Sequence, residues 1–167
     1  MVNKIWDVNS HARVIGYARV STSKQGSSNY LKAQRKGYDR DKTRYGWTTP
    51  PFIEDRCVGF SLKGRAGLKK VLNLVRNGHV DAVWVANLDR LWHCENLRDL
   101  AKIYDAFLKH NVKLVTPDKI YDLSNCADTF SFDMEGILAK YNRRRLLQHK
   151  KAYKKNVVKK GRAKDGK

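Results

Sequence analysis

The chain has 167 residues, 41% hydrophobic and 10% aromatic, which is enough apolar material for one folded domain and too much for wholesale disorder. Its formal net charge is +19, from 35 Lys and Arg against 16 Asp and Glu, so polyanions are the favoured partners, with nucleic acid first and an anionic membrane surface second. Three scattered cysteines, Cys57, Cys94 and Cys126, form no CxxC and no His/Cys ladder, which argues against a disulfide framework and a structural zinc site.

The scattered cysteines fit a reducing cytoplasm, the first residues carry no apolar signal core, and no run approaches membrane-spanning length. Residues 1–12 are largely polar around Ile5 and Trp6 and read as a flexible arm. Val14 to Val20 reads as a first strand, closed by the polar segment Thr22, Ser23, Gly26, Ser27 and Ser28. Residues 29–45 read as a weakly amphipathic helix with Leu31, Gln34 and Tyr38 on one side, weakened by Gly37. After Pro50-Pro51, Phe52 to Asp55 reads as a short strand, and residues 56–64 as a mobile loop with two glycines.

Leu68, Val71, Leu72 and Val75 recur at helical spacing behind Arg65-Ala66-Gly67, and Asn77-Gly78 is a helix stop. Val80 to Ala86 is the near-continuous valine-rich run expected of a central parallel strand. A strong helix is predicted over about 95–110, a strand at Val112 to Val115 and an edge strand at Ile120 to Leu123. Asp128 is the predicted N-cap of a last, long helix with Phe130, Met134, Ile137, Leu138 and Tyr141 as its apolar stripe. From Lys140 onward 13 basic residues face one acid, so the far half of that helix is expected to meet DNA or a partner chain.

The alternation of strands and helices predicts an α/β fold: a mostly parallel four- to five-stranded sheet flanked by helices, with a long C-terminal helix. Sites in such folds form beyond the carboxyl ends of the strands. Two of those ends carry functional groups, Arg19 and Ser21 after the first strand and Asp89 and Arg90 after the third. No glycine-rich phosphate loop follows either strand, which disfavours a flavodoxin-like or nucleotide-binding reading.

Four blocks in order resemble the serine recombinase (resolvase/invertase) catalytic domain. They are Gly16-Tyr17-Ala18-Arg19-Val20-Ser21-Thr22 with Gln34, then Asp55…Gly59…Arg65-Ala66-Gly67-Leu68. Val83-Trp84-Val85 with Leu88-Asp89-Arg90-Leu91 and Phe132-Asp133-Met134 complete the set. The spacing around Gly59 to Arg65 and the segment Thr116–Asp122 look more like the large serine integrases. The resemblance implies a catalytic domain over 13–127, an oligomerisation and DNA-contacting helix over 128–160, and a disordered basic tail over 161–167.

It further implies a nucleophilic Ser21 that forms a 5′-phosphoserine link with double-stranded DNA, in a homodimer that becomes a tetramer in the active synapse. No metal and no cofactor is implied. Arg19 and Arg90 align with phosphate-binding arginines, Arg65 with a third on the mobile loop, Asp89 with the neighbouring aspartate and Gln34 with a site glutamine. DNA contact falls to Arg143, Arg144, Arg145, Lys150, Lys151, Lys154 and Lys155. The implied setting is cytoplasmic and nucleoid-associated, in a bacterium or phage.

Two positions depart from the pattern. His93 stands where the family has an arginine, and it lacks a bidentate fork. Asn142, before Arg143, stands where the family has a glutamate. Slow or absent strand cleavage is the expectation. No helix-turn-helix, recombinase domain or zinc ribbon follows Gly161, so a catalytic domain detached from its DNA-reading domain is expected. The competing reading is a non-catalytic DNA-binding or oligomerisation module derived from such an enzyme.

Overall fold

The computed structural model describes residues 11–21, 27–48, 51–57, 62–92 and 97–138, together with helical positions at 141, 145–146, 148–149 and 153. In chain order the elements are β1 (Val14–Val20), α1 (Ser27–Tyr45), β2 (Ile53–Arg56), a 3₁₀ turn (Leu62–Gly64) and α2 (Ala66–Arg76). Then come β3 (Ala82–Val85), the one-turn α3 (Asp89–Trp92), α4 (Leu97–Lys109), β4 (Lys113–Val115) and β5 (Ile120–Tyr121). Residues 126–138 form a further helix, α5. The chain divides into two compact units, Met1–Phe132 and Asp133–Lys167.

The first unit is built on one five-stranded sheet in the order β2-β1-β3-β4-β5. The β1–β2, β1–β3 and β3–β4 pairs are parallel, and β5 runs antiparallel to β4 at the edge. The expected mostly parallel α/β sheet is therefore the one observed. All seven residues of β1 are buried, as a central strand covered on both faces requires.

Alternate residues of β1 go to different neighbours. Val14 packs with Tyr38 of α1, Trp47 and Trp84, while Ile15 and Tyr17 join Leu68, Val71, Val75, Val83, Ile103 and Phe107 on the side of α2 and α4. Gly16 is dictated by the first of these layers, because a Cβ there would overlap the Phe52 ring and approach Tyr38 to 2.9 Å. Helix α1 runs through Gly37 without a break, and the nearest atom to a Cβ there would be on Trp84, at 3.4 Å. Tertiary packing of α1 on the sheet overrides the local helix penalty of glycine, which is about 1 kcal/mol.

The structure corrects several sequence expectations at the ends of elements. Segment 56–64 was expected to be a mobile loop, yet Leu62–Gly64 is a 3₁₀ turn with Leu62 buried and its N–H donated to Asp99 at 2.9 Å. The edge strand expected over Ile120 to Leu123 is limited to Ile120–Tyr121. Asp128 does not cap α5. Asn125 does, its Oδ1 accepting the N–H of Ala127 at 2.9 Å and of Asp128 at 3.4 Å. Asp128 instead accepts the Asp122 N–H at 3.2 Å and pairs with Lys119 at 3.1 Å, bracing β5.

In the second unit, residues 133–138 are helical, and Ile137, Leu138, Tyr141, Leu146 and Tyr153 are all more than half exposed within the chain. Arg145 is helical and exposed. Arg143, Arg144, Lys150, Lys151, Lys154, Lys155 and Asn142 lie outside the described residues, as do the first ten residues of the arm and the tail over 161–167.

Candidate active site

In the strand order β2-β1-β3-β4-β5 the direction of winding reverses between β1 and β3, and beyond the carboxyl ends at such a reversal is where open parallel sheets generally place their sites. The side chains delivered to that edge follow from strand parity. Tyr17 and Arg19 stand two residues apart on the α2 side of β1, and Ser21 follows directly after the strand in the same parity. From β3 the chain passes through Leu88, whose side chain is buried, into α3, which carries Asp89 and Arg90.

Arg19 is 4% exposed, yet it is poorly satisfied. Its Nη1 donates to the Cys57 carbonyl at 3.3 Å and its Nη2 to the Asp89 carbonyl at 3.4 Å, both long. Its Nε is buried with no hydrogen-bond partner among the described residues. Burial lowers the Arg19 pKa, and repulsion from Arg65 and Arg90 adds to this against the opposing pull of Tyr17 and Asp89. Arg19 remains a cation, but one held at a cost that an arriving anion would relieve.

Asp89 and Arg90 form a long ion pair, Nε to Oδ1 at 3.5 Å, with each side chain about a third exposed. Neither of these two atoms has a hydrogen-bond partner among the described residues. Ser21, directly after β1, is partly exposed. Gln34 is buried on α1, and its Nε2 donates to the Arg19 carbonyl at 3.5 Å and the Tyr30 carbonyl at 3.3 Å. Its Oε1 has no partner among the described residues. The structure thus brings Arg19, Ser21, Gln34, Asp89 and Arg90 to one sheet edge, while His93 lies outside the described residues.

Arg65 is placed differently from its expected position on a mobile loop. It is the residue before α2 and has no exposed surface. Its Nε and Nη2 donate to Tyr17 Oη at 3.2 and 3.0 Å, its Nη1 donates to the Leu91 carbonyl at 2.8 Å, and Nη2 also reaches the Arg90 carbonyl. Tyr17 in turn donates to Asp55 Oδ2 at 2.9 Å, and burial raises the phenol pKa. Asp55 also accepts the N–H groups of Gly67 at 2.7 Å and Leu68 at 3.0 Å, satisfying the first turn of α2.

The roles of Tyr17 and Asp55 escaped the sequence reading. A signal for the first existed: a tyrosine in an otherwise aliphatic buried strand must find a partner for its hydroxyl. Gly67 belongs to the same arrangement, since a Cβ there would lie 2.8 Å from Asp55 Oδ1.

The family described as "Resolvase, N terminal domain" matches residues 14–163, nearly the whole chain. The chain belongs to that family. Among solved structures, the resolvase domain is similar to a resolvase family site-specific recombinase from Streptococcus pneumoniae, with a TM-score of 0.57 at 23% identity over 86% of this chain and 97% of that one. It is also similar to the N-terminal catalytic domain of TP901-1 integrase, with a TM-score of 0.55 at 21% identity over 79% and 97% of the two chains. The C-terminal catalytic domain of ISC1926 TnpA, an IS607-like serine recombinase, gives a TM-score of 0.53 at 19% identity over 77% and 99%. At these identities the likeness shows the fold, that of a serine recombinase catalytic domain. No match was found among curated protein sequences.

Proposed function

We propose that this resolvase-family domain cuts and rejoins double-stranded DNA through a covalent bond to Ser21. What supports this is the placement of Ser21 directly after β1, at the carboxyl end where Arg19 and, after β3, Arg90 also stand, each with an Nε that has no hydrogen-bond partner among the described residues. Phosphoryl transfer asks mainly for positioning and for compensation of charge on the phosphate oxygens. Arginine forks supply both, and charged donors aimed at a phosphate outcompete long bonds to backbone carbonyls.

In the proposed step Ser21 Oγ attacks the phosphorus, forming the Oγ–P bond as the bond from phosphorus to the DNA 3′ oxygen breaks. The electron pair of that bond stays on the 3′ oxygen, which ends with the proton the serine loses. The product is a 5′-phosphoserine and a free 3′ hydroxyl. Attack of a 3′ hydroxyl on the phosphoserine reverses the chemistry and releases Ser21, so rejoining consumes no nucleotide. Arg19 and Arg90 hold the non-bridging oxygens, and Gln34 steadies the end of β1 through the Arg19 carbonyl. Asp89 orients Arg90.

Strand exchange needs both DNA partners cut at once, which fits a homodimer that pairs into a tetramer. The exposed apolar residues Ile137, Leu138 and Tyr141 are suited to such contacts, and the basic segment from Lys140 onward to the DNA backbone.

The test is a denaturing gel for protein–DNA adduct on a pool of randomised, nicked duplexes, comparing wild type with Ser21→Ala. Adduct with wild type alone is expected. Adduct that persists in Ser21→Ala refutes the nucleophile, and no adduct with either protein favours a non-catalytic DNA-binding or oligomerisation module.

A further inference from the structure

A fully buried guanidinium must be compensated by its surroundings. Around Arg65 the compensation forms a chain running through four elements. Asp55 on β2 accepts the hydrogen bond of the Tyr17 hydroxyl at 2.9 Å, which turns the hydroxyl lone pairs toward Arg65. Arg65 uses Nε and Nη2 on that hydroxyl, at 3.2 and 3.0 Å. Its fork also grips the carbonyls of Leu91, at 2.8 Å, and Arg90, both on α3. Asp55 is itself anchored to the first turn of α2 by Gly67 and Leu68. The result is a link from β2 and β1 through Arg65 to the turn that presents Asp89 and Arg90.

We infer that Arg65 is a positioning residue and not a phosphate ligand: Tyr17 and Asp55 hold its guanidinium against the α3 carbonyls, and this fixes Asp89 and Arg90 beside Ser21. The inference deepens the proposed cleavage reaction and rests on it for its catalytic consequence. The planar fork is essential, since a lysine ammonium cannot span the Tyr17 hydroxyl and two carbonyls in the same geometry.

The full chain is tested with Tyr17→Phe, which removes one oxygen and leaves the ring packed, and with Arg65→Lys. Hydrogen exchange at the Arg90 and Leu91 amides, which donate to the Asn87 and Leu88 carbonyls at 3.1 and 3.0 Å, reads the hold on α3 directly. Exchange there is expected to rise about tenfold in both variants, the effect of losing roughly one hydrogen bond. Single-turnover adduct formation on the nicked duplex pool is expected to slow about tenfold or more at saturating DNA, with the half-saturating DNA concentration unchanged.

Unchanged exchange at Arg90 and Leu91 in both variants overturns the inference. So does an Arg65→Lys protein that weakens DNA binding but keeps the maximal rate, because a residue that positions Asp89 and Arg90 acts on the rate and not on binding. If wild type forms no adduct, the cleavage reading fails, and the exchange measurement still decides whether Arg65 holds α3.

Discussion

The β1–β3 pair carries an arginine at each end, and the two are treated in opposite ways. At the amino end, Arg13 donates its backbone N–H, Nε and Nη2 to the Asp81 carboxylate at 2.6–3.1 Å and its Nη1 to the Gly78 carbonyl at 2.7 Å. At the carboxyl end, Arg19 has two long carbonyl contacts and a buried Nε with no partner among the described residues. Among the described residues, the exposed arginine is well bonded and the buried one is not. Folding alone would favour the reverse, because an unpaired donor costs far more when water cannot reach it. The less satisfied end is the one at which the proposed function places the DNA phosphate.

The sharpest way to break this comparison is Arg19→Met. Adduct formation is expected to fall on the order of 100- to 1,000-fold, as when one transition-state donor is lost. The thermal midpoint should hold or rise, because a strained buried cation is replaced by an apolar side chain. A protein that unfolds with loss of Arg19 would mean its charge serves the fold.

Asp55→Ala is expected to act on stability instead, since it orphans two amide N–H groups and the Tyr17 hydroxyl together. The cost should be about 3 kcal/mol or more in denaturant unfolding. Gly67→Ala should push against the same carboxylate and cost about 1–3 kcal/mol. Stability unchanged in both would show that α2 does not depend on this cap.

The smallest effect is expected at the amino end. Hydrogen bonds from Arg13 hold the Asp81 carboxyl below its ordinary value. A depressed folded-state pKa stabilises the fold above the unfolded value, about 4 for aspartate, and the contribution is lost as pH falls through the folded value. Wild type should thus exceed Asp81→Asn slightly in unfolding midpoint at neutral pH, and the gap should close on acidification below about pH 4. A gap that widens in acid would reverse the assignment.

Much of the site was legible before any coordinates. Arg19 and Ser21 share strand parity, and a valine-rich run followed by Asp89-Arg90 marks a second carboxyl end. Parallel sheets gather such ends at one edge. The cap of α5 was misread because Asn125 and Asp128 both suit an N-cap. Only the reach of Asp128 to Asp122 and Lys119 decided between them. The burial of Arg65 was not legible for a related reason: a basic residue at a helix start is usually solvated, and this one is buried against Tyr17, 48 positions away in sequence.

The sequence by itself determined the order of strands and helices, the parity that brings Tyr17, Arg19 and Ser21 to one face, and the uneven spread of charge. These follow from local periodicity and composition, which act over a few residues. Only the tertiary structure decided which arginines are spent and which are available. That depends on whether a carbonyl, a hydroxyl or a carboxylate from a distant segment stands within about 3 Å, the range over which a hydrogen bond forms. Among the described residues Arg13 and Arg65 have such partners, and the Nε of Arg19 has none.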